Sequence, residues 1–131
     1  MSIQFKNILL PNAFKDLASA LNDKELFWKA NEEQFQKTDS TLRDNALSML
    51  KGMKKKANVI ISNHLKSNIY LAPSSLSAYT YSTDRIIRSI AKLVLEKMFP
   101  LVSPTKGESI SIIAVGGYGR AEMAPYSDID L

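Results

Sequence analysis

The sequence predicts an α+β chain, with a helical region over residues 1–107 leading into the first strands of a sheet over residues 108–131. Two observations carry that expectation. Apolar residues recur at helical spacing through two long stretches, 41–66 and 83–99. Beyond them, 110–115 is a short apolar run closed by glycines, and Asp128, Ile129, Asp130 and Leu131 alternate acid and apolar side chains as a strand does.

Pro11 closes a mixed opening segment, and Asn12 is placed to cap a short helix over 13–21 with Phe14, Leu17, Ala18 and Leu21 on one face. Asn22 and Asp23 break it. A second helical piece over 24–36 sets Leu26, Phe27, Ala30 and Phe35 among charges, and Trp28 there reads as a packing residue. Thr38, Asp39 and Ser40 are a cap cluster ahead of a helix of about seven turns over 41–66. Its apolar stripe includes Leu42, Ala46, Met53, Ala57, Ile61 and Leu65. Gly52 interrupts the stripe and costs about 1 kcal/mol relative to alanine.

Lys51, Lys54, Lys55 and Lys56 read as a solvated face of that helix, with phosphate contact as the sharper alternative. His64 is the single histidine and has no acid or cysteine near it in sequence, so it reads as a helical packing residue. Residues 67–81, with Pro73, a serine cluster and three tyrosines, read as a loop. The next helix starts at Ser82 or Thr83 and puts Asp84 in its first turn, where an acid favours the dipole. Ile86, Ile87, Ile90, Ala91, Val94, Leu95 and Met98 give it a face wide enough to pack on the long helix and on a sheet. Pro100, Pro104 and Gly107 end it, and 110–115 is expected as a buried central strand.

Composition bounds the class. With 131 residues, 45% of them apolar, the chain can bury one modest core. The absence of cysteine excludes disulfides and thiolate metal sites and is compatible with the cytoplasm, where the chain is expected. No run of apolar residues is long enough to span a membrane, and the first residues lack the pattern of a signal peptide. A net charge of +4 leaves nucleic-acid binding open without favouring it.

Chemistry concentrates at 115–131. Gly116, Gly117 and Gly119 free the backbone for a tight turn and for close approach of a bulky anion. In an extended segment Asp128 and Asp130 point to one side, roughly 6.5 Å apart along the strand. Two carboxylates so placed repel by about 2–3 kcal/mol at an effective dielectric near 20 unless a cation lies between them. The dinucleotide fingerprint fails, because no third glycine follows at its spacing, and the Gly-Lys-Ser/Thr of a P-loop is missing.

Val115-Gly116-Gly117, a ten-residue spacer and then Asp128-Ile129-Asp130-Leu131 resemble the signature of the polymerase-beta-like nucleotidyltransferases. The longer string from Gly116 through Arg120, Pro125, Tyr126 and Ser127 to Leu131 looks like the motif of the bacterial PII-protein uridylyltransferase/uridylyl-removing enzymes. The resemblance implies transfer of UMP from UTP to a tyrosine of the PII nitrogen-regulatory protein. It places Gly116 and Gly117 against the triphosphate, with Arg120 and Ser127 as further nucleotide contacts, and gives Asp128 and Asp130 to Mg²⁺ as catalytic acids.

A third acid comes from a later strand in such enzymes and has no counterpart to assign. On this reading 1–107 is the N-terminal helical region and 108–131 the start of the nucleotidyltransferase domain. The chain is then the N-terminal part of such an enzyme, truncated just after the acid pair and inactive alone, with a poorly anchored tail over 116–131. Glutamine-synthetase adenylyltransferases and other nucleotidyltransferase-domain signalling proteins are the neighbouring alternative. A non-catalytic helical module that binds a protein, or weak nucleic-acid binding through Lys51–Lys56, are the alternatives of other classes.

Overall fold

The computed structural model describes residues 8–21, 39–103, 105, 107 and 110–131. The helix expected over 24–36, with Trp28, lies outside the described residues. A 3₁₀ turn, Asn12–Phe14, runs into a short helix α1, Lys15–Ala20. Asn12 does not cap it, since the chain enters from Pro11 with no side-chain hydrogen bond. The apolar face is as the spacing gives it: Phe14, Leu17 and Leu21 are buried.

The long helix α2 spans Asp39–Ser67 and starts inside the cap cluster. It passes through Gly52 without a break, and nothing stands within 4 Å of where a side chain there would project. Asn68 then accepts a hydrogen bond from the Tyr70 amide and opens a single 3₁₀ turn, Ile69–Leu71. Helix α3, Ala72–Lys92, follows at once and so runs back along α2. The loop expected over 67–81 is therefore mostly helix. Pro73 sits at the first positions of α3, where its missing N–H costs nothing. The serine and threonine hydroxyls turn back onto their own helix, Ser75 to the Ala72 carbonyl and Thr80 to the Leu76 carbonyl.

One cluster joins α1, α2 and α3: Phe14, Leu17 and Leu21 meet Ala57, Ile61, Ala78 and Tyr81. Small residues at the seam, Ala57 and Ala78, are fully buried and let the two long helices approach closely. A second, smaller cluster of Leu42, Ala46 and Leu93 ties the start of α2 to the end of α3. There α3 widens into a π-helical stretch, Leu93–Met98, whose Phe99 amide bonds the Val94 carbonyl.

The expected sheet does not form. Among the described residues no strand is present; 110–115 is extended but unpaired over most of its length. Ile110, Ile112, Ile113 and Val115 are 49–68% exposed. A lone extended pair buries too little surface to offset its ordering entropy, and sheets need three or more strands or a covering helix. A single backbone bond, from the Val115 amide to the Asp130 carbonyl at 3.1 Å, marks where two strands would have met. The described chain is helical, and the α+β expectation is corrected accordingly.

Candidate functional site

The glycines fold into one helical turn, α4, Gly116–Gly119. Gly116 enters it at φ +57°, a left-handed conformation that side chains rarely adopt. Backbone bonds from Gly119 to Val115, Arg120 to Gly116 and Glu122 to Gly117 close the turn. Gly119 is required for packing: a Cβ there would stand 2.6 Å from the Ala114 carbonyl oxygen.

The turn is docked on α3, which corrects the expectation of a poorly anchored tail. Tyr118 is buried, and its hydroxyl donates to Asp84 at 3.5 Å. Asp84 pairs in turn with Arg88 at 2.6 Å, one turn further along α3. Burial pushes the Tyr118 hydroxyl up to about 12, the neighbouring Asp84 charge adding to it, so this phenol stays neutral. Burial also raises the Asp84 carboxyl above its ordinary range, and Arg88 opposes that shift. A second anchor is the Met123 amide, which donates to the fully buried Thr80 hydroxyl at 3.1 Å; the Met123 side chain is buried too. Asp84 is mid-helix, well beyond the first turn of α3.

Of the residues singled out from sequence, Gly116 and Asp130 come together. The Asp130 Oδ2 oxygen lies 2.6 Å from the point where a Cβ on Gly116 would sit, so the missing side chain makes room for the carboxylate. Asp128 is exposed. Arg120 is exposed and faces Glu122 at 3.5 Å, and the Ser127 hydroxyl donates to the Ala124 carbonyl to tighten its own turn. Among the described residues no group of three or more potential ligands could hold a metal ion by itself. Two exposed aspartates fit an ion that also takes substrate phosphates and water, as magnesium commonly does.

Sequence reading missed Tyr118, Thr80 and Met123. Nothing local in the sequence separates the buried Tyr118 from the exposed turn tyrosines Tyr70 and Tyr126. His64 pairs with Asp16 of α1 at 2.7 Å and meets the Phe14 ring edge-on, a packing role reached across 48 residues of sequence. A cleft of about 810 Å³ opens between α2, α3 and the 123–129 segment. Lys51, Lys54 and Lys55 line it and are exposed, as a solvated face would be, while Asp128 and Asp130 are not among the lining residues.

The comparisons with known proteins give this glycine turn and its carboxylate a particular setting. The chain is homologous to a short part of the bifunctional uridylyltransferase/uridylyl-removing enzymes. It is 36% identical to the enzyme of that name from Ruegeria pomeroyi over 93 residues, 71% of this chain and 10% of the relative. Against the Azospirillum brasilense enzyme the identity is 53% over 51 residues, and against that of Novosphingobium aromaticivorans 29% over 112 residues. The resemblance read from the motif is thus borne out, and the relatives are enzymes. The chain spans about a tenth of the length of these curated relatives. No protein-family model and no solved structure matches it. No described helix is long and apolar enough to cross a membrane.

Proposed function

We propose that this chain is the nucleotide-gripping part of a PII uridylyltransferase, which moves UMP from UTP to a tyrosine of the PII protein in the cytoplasm. The observation that carries the reading is the seating of Asp130 against Gly116 in a sequence homologous to those enzymes. Gly116 and Gly117 are the residues that would meet the triphosphate, Arg120 is exposed at the end of their turn, and Ser127 is exposed in the next turn along the chain. Asp128 and Asp130 would hold Mg²⁺, which supplies charge neutralisation on the phosphate oxygens when bound. The acceptor tyrosine oxygen forms a bond to the α-phosphorus, and the bond to the leaving pyrophosphate breaks. Its phenolic proton passes to solvent or a neighbouring base.

The two acids orient the phosphates for that in-line attack, and Tyr118 and Met123 hold the turn so that the acids keep their distance from it. The chain by itself is expected to bind UTP without transferring UMP. Calorimetric titration of Mg²⁺-UTP is the test. Asp128→Asn and Asp130→Asn are each expected to weaken binding by about tenfold, roughly 1.4 kcal/mol. Unchanged affinity in both variants removes the acids from the site.

A further inference from the structure

The geometry points to a second ligand site: the cleft between α2, α3 and the 123–129 segment binds a nucleoside polyphosphate without metal, separately from the Gly116–Asp130 turn. Lys51, Lys54, Lys55 and Lys66 all line this cleft, and among the described residues no aspartate or glutamate does. Their spacing is helical, so one face of α2 presents them together. Unbalanced cations in a concave wall focus the potential and repel one another, and a bound polyanion relieves both effects.

Three of the lysines, Lys51, Lys54 and Lys55, fall within about 6 Å of helix axis, close enough for one triphosphate to meet all three. The cleft volume of about 810 Å³ lies in the usual range for a small-molecule pocket. Tyr79 and Tyr126 supply aromatic surface for a base, and Thr83 lies in the wall beside them. Tyr126 is fully exposed and held at φ 63°, a left-handed conformation costing a bulky residue about 1–2 kcal/mol. Strain that turns an aromatic ring out over a basic cleft is the kind that a ligand contact accounts for.

The Asp130 carboxylate sits apart from this cleft. Ser127 and Ile129 line it, whereas the Asp130 carboxylate lies against Gly116. A ligand here is therefore expected to bind independently of magnesium and of the Asp130 carboxylate.

The test is titration of the chain with UTP, ATP and inorganic tripolyphosphate in excess EDTA. Saturable binding of all three is expected, about tenfold weaker in a Lys54→Gln/Lys55→Gln variant. Lys56→Gln, on the same helix outside the cleft, keeps wild-type affinity and controls for a loss of folding. Tyr126→Ala weakens both nucleotides but leaves tripolyphosphate unchanged. Asp130→Asn leaves all metal-free binding unchanged, which separates this site from the proposed magnesium-dependent one. Absence of tripolyphosphate binding overturns the inference, as does equal loss in Asp130→Asn. Binding of single-stranded RNA that nucleotides fail to displace, with a steep salt slope, overturns it in favour of nucleic acid.

Discussion

The link from α3 to the glycine turn is a short chain of polar groups, and its members are unequal. The Tyr118 to Asp84 bond is at the long limit for a hydrogen bond, so the buried ring holds the turn more than the hydroxyl does. Asp84 and Arg88 form the close pair. Because burial raises the folded-state value of Asp84 above its ordinary 3.8, the neutral carboxyl stabilises the fold. That contribution is complete below 3.8 and is lost as pH rises through the raised value. In urea denaturation, the stability of the native chain relative to Asp84→Asn should therefore fall as pH climbs from 3.8; a difference that grows with pH would contradict the burial argument. The glycines separate by the same close reading. Gly119→Ala meets a backbone carbonyl that cannot swing aside and should cost about 2–3 kcal/mol. Gly117→Ala has 3.4 Å to the nearest atom and should cost under about 1 kcal/mol, and thermal melts of the two variants check the order.

At the scale of elements, α2 was legible because its apolar stripe keeps one period for its whole length. The first half of α3 was not. Pro73 and the serines there carry the composition of a loop, and only tertiary burial of Ala78, Thr80 and Tyr81 shows why they are helical. A serine whose hydroxyl bonds its own helix carbonyl no longer competes for the backbone, so the usual penalty is muted. The same reasoning marks Gly52 as a removable weakness. It is exposed, mid-helix and has open space around its Cα. Gly52→Ala should raise stability by about 1 kcal/mol, read as a shift in the urea midpoint at constant slope. No change in midpoint would mean that α2 is frayed there in the native state.

Across the whole molecule the candidate site was legible in its residues and illegible in its support. The motif grouped the glycines with Asp128 and Asp130, of which Asp130 is seated against Gly116, but sequence separation hid that Thr80, Asp84 and Arg88 of α3 carry the turn. The sheet was read from local pattern, which is sound for a strand and silent on whether partners exist to cover it. Apolar alternation at 110–113 therefore specifies an edge that the described chain leaves exposed. Unequal cover predicts unequal local stability. Amides at the α2–α3 seam, around Ala57, Ile61 and Ala78, open only with global unfolding and should show the slowest hydrogen exchange. Those of Tyr118 and Met123 should be intermediate, since burial and the Thr80 bond protect them at the margin of the core. Ile110, Ile112 and Ile113 should exchange near the rate of a free peptide. Native-state exchange read by NMR orders the three groups, and slow exchange at 110–113 would show that the edge is paired in solution, reinstating the sheet that the sequence pattern leads one to expect.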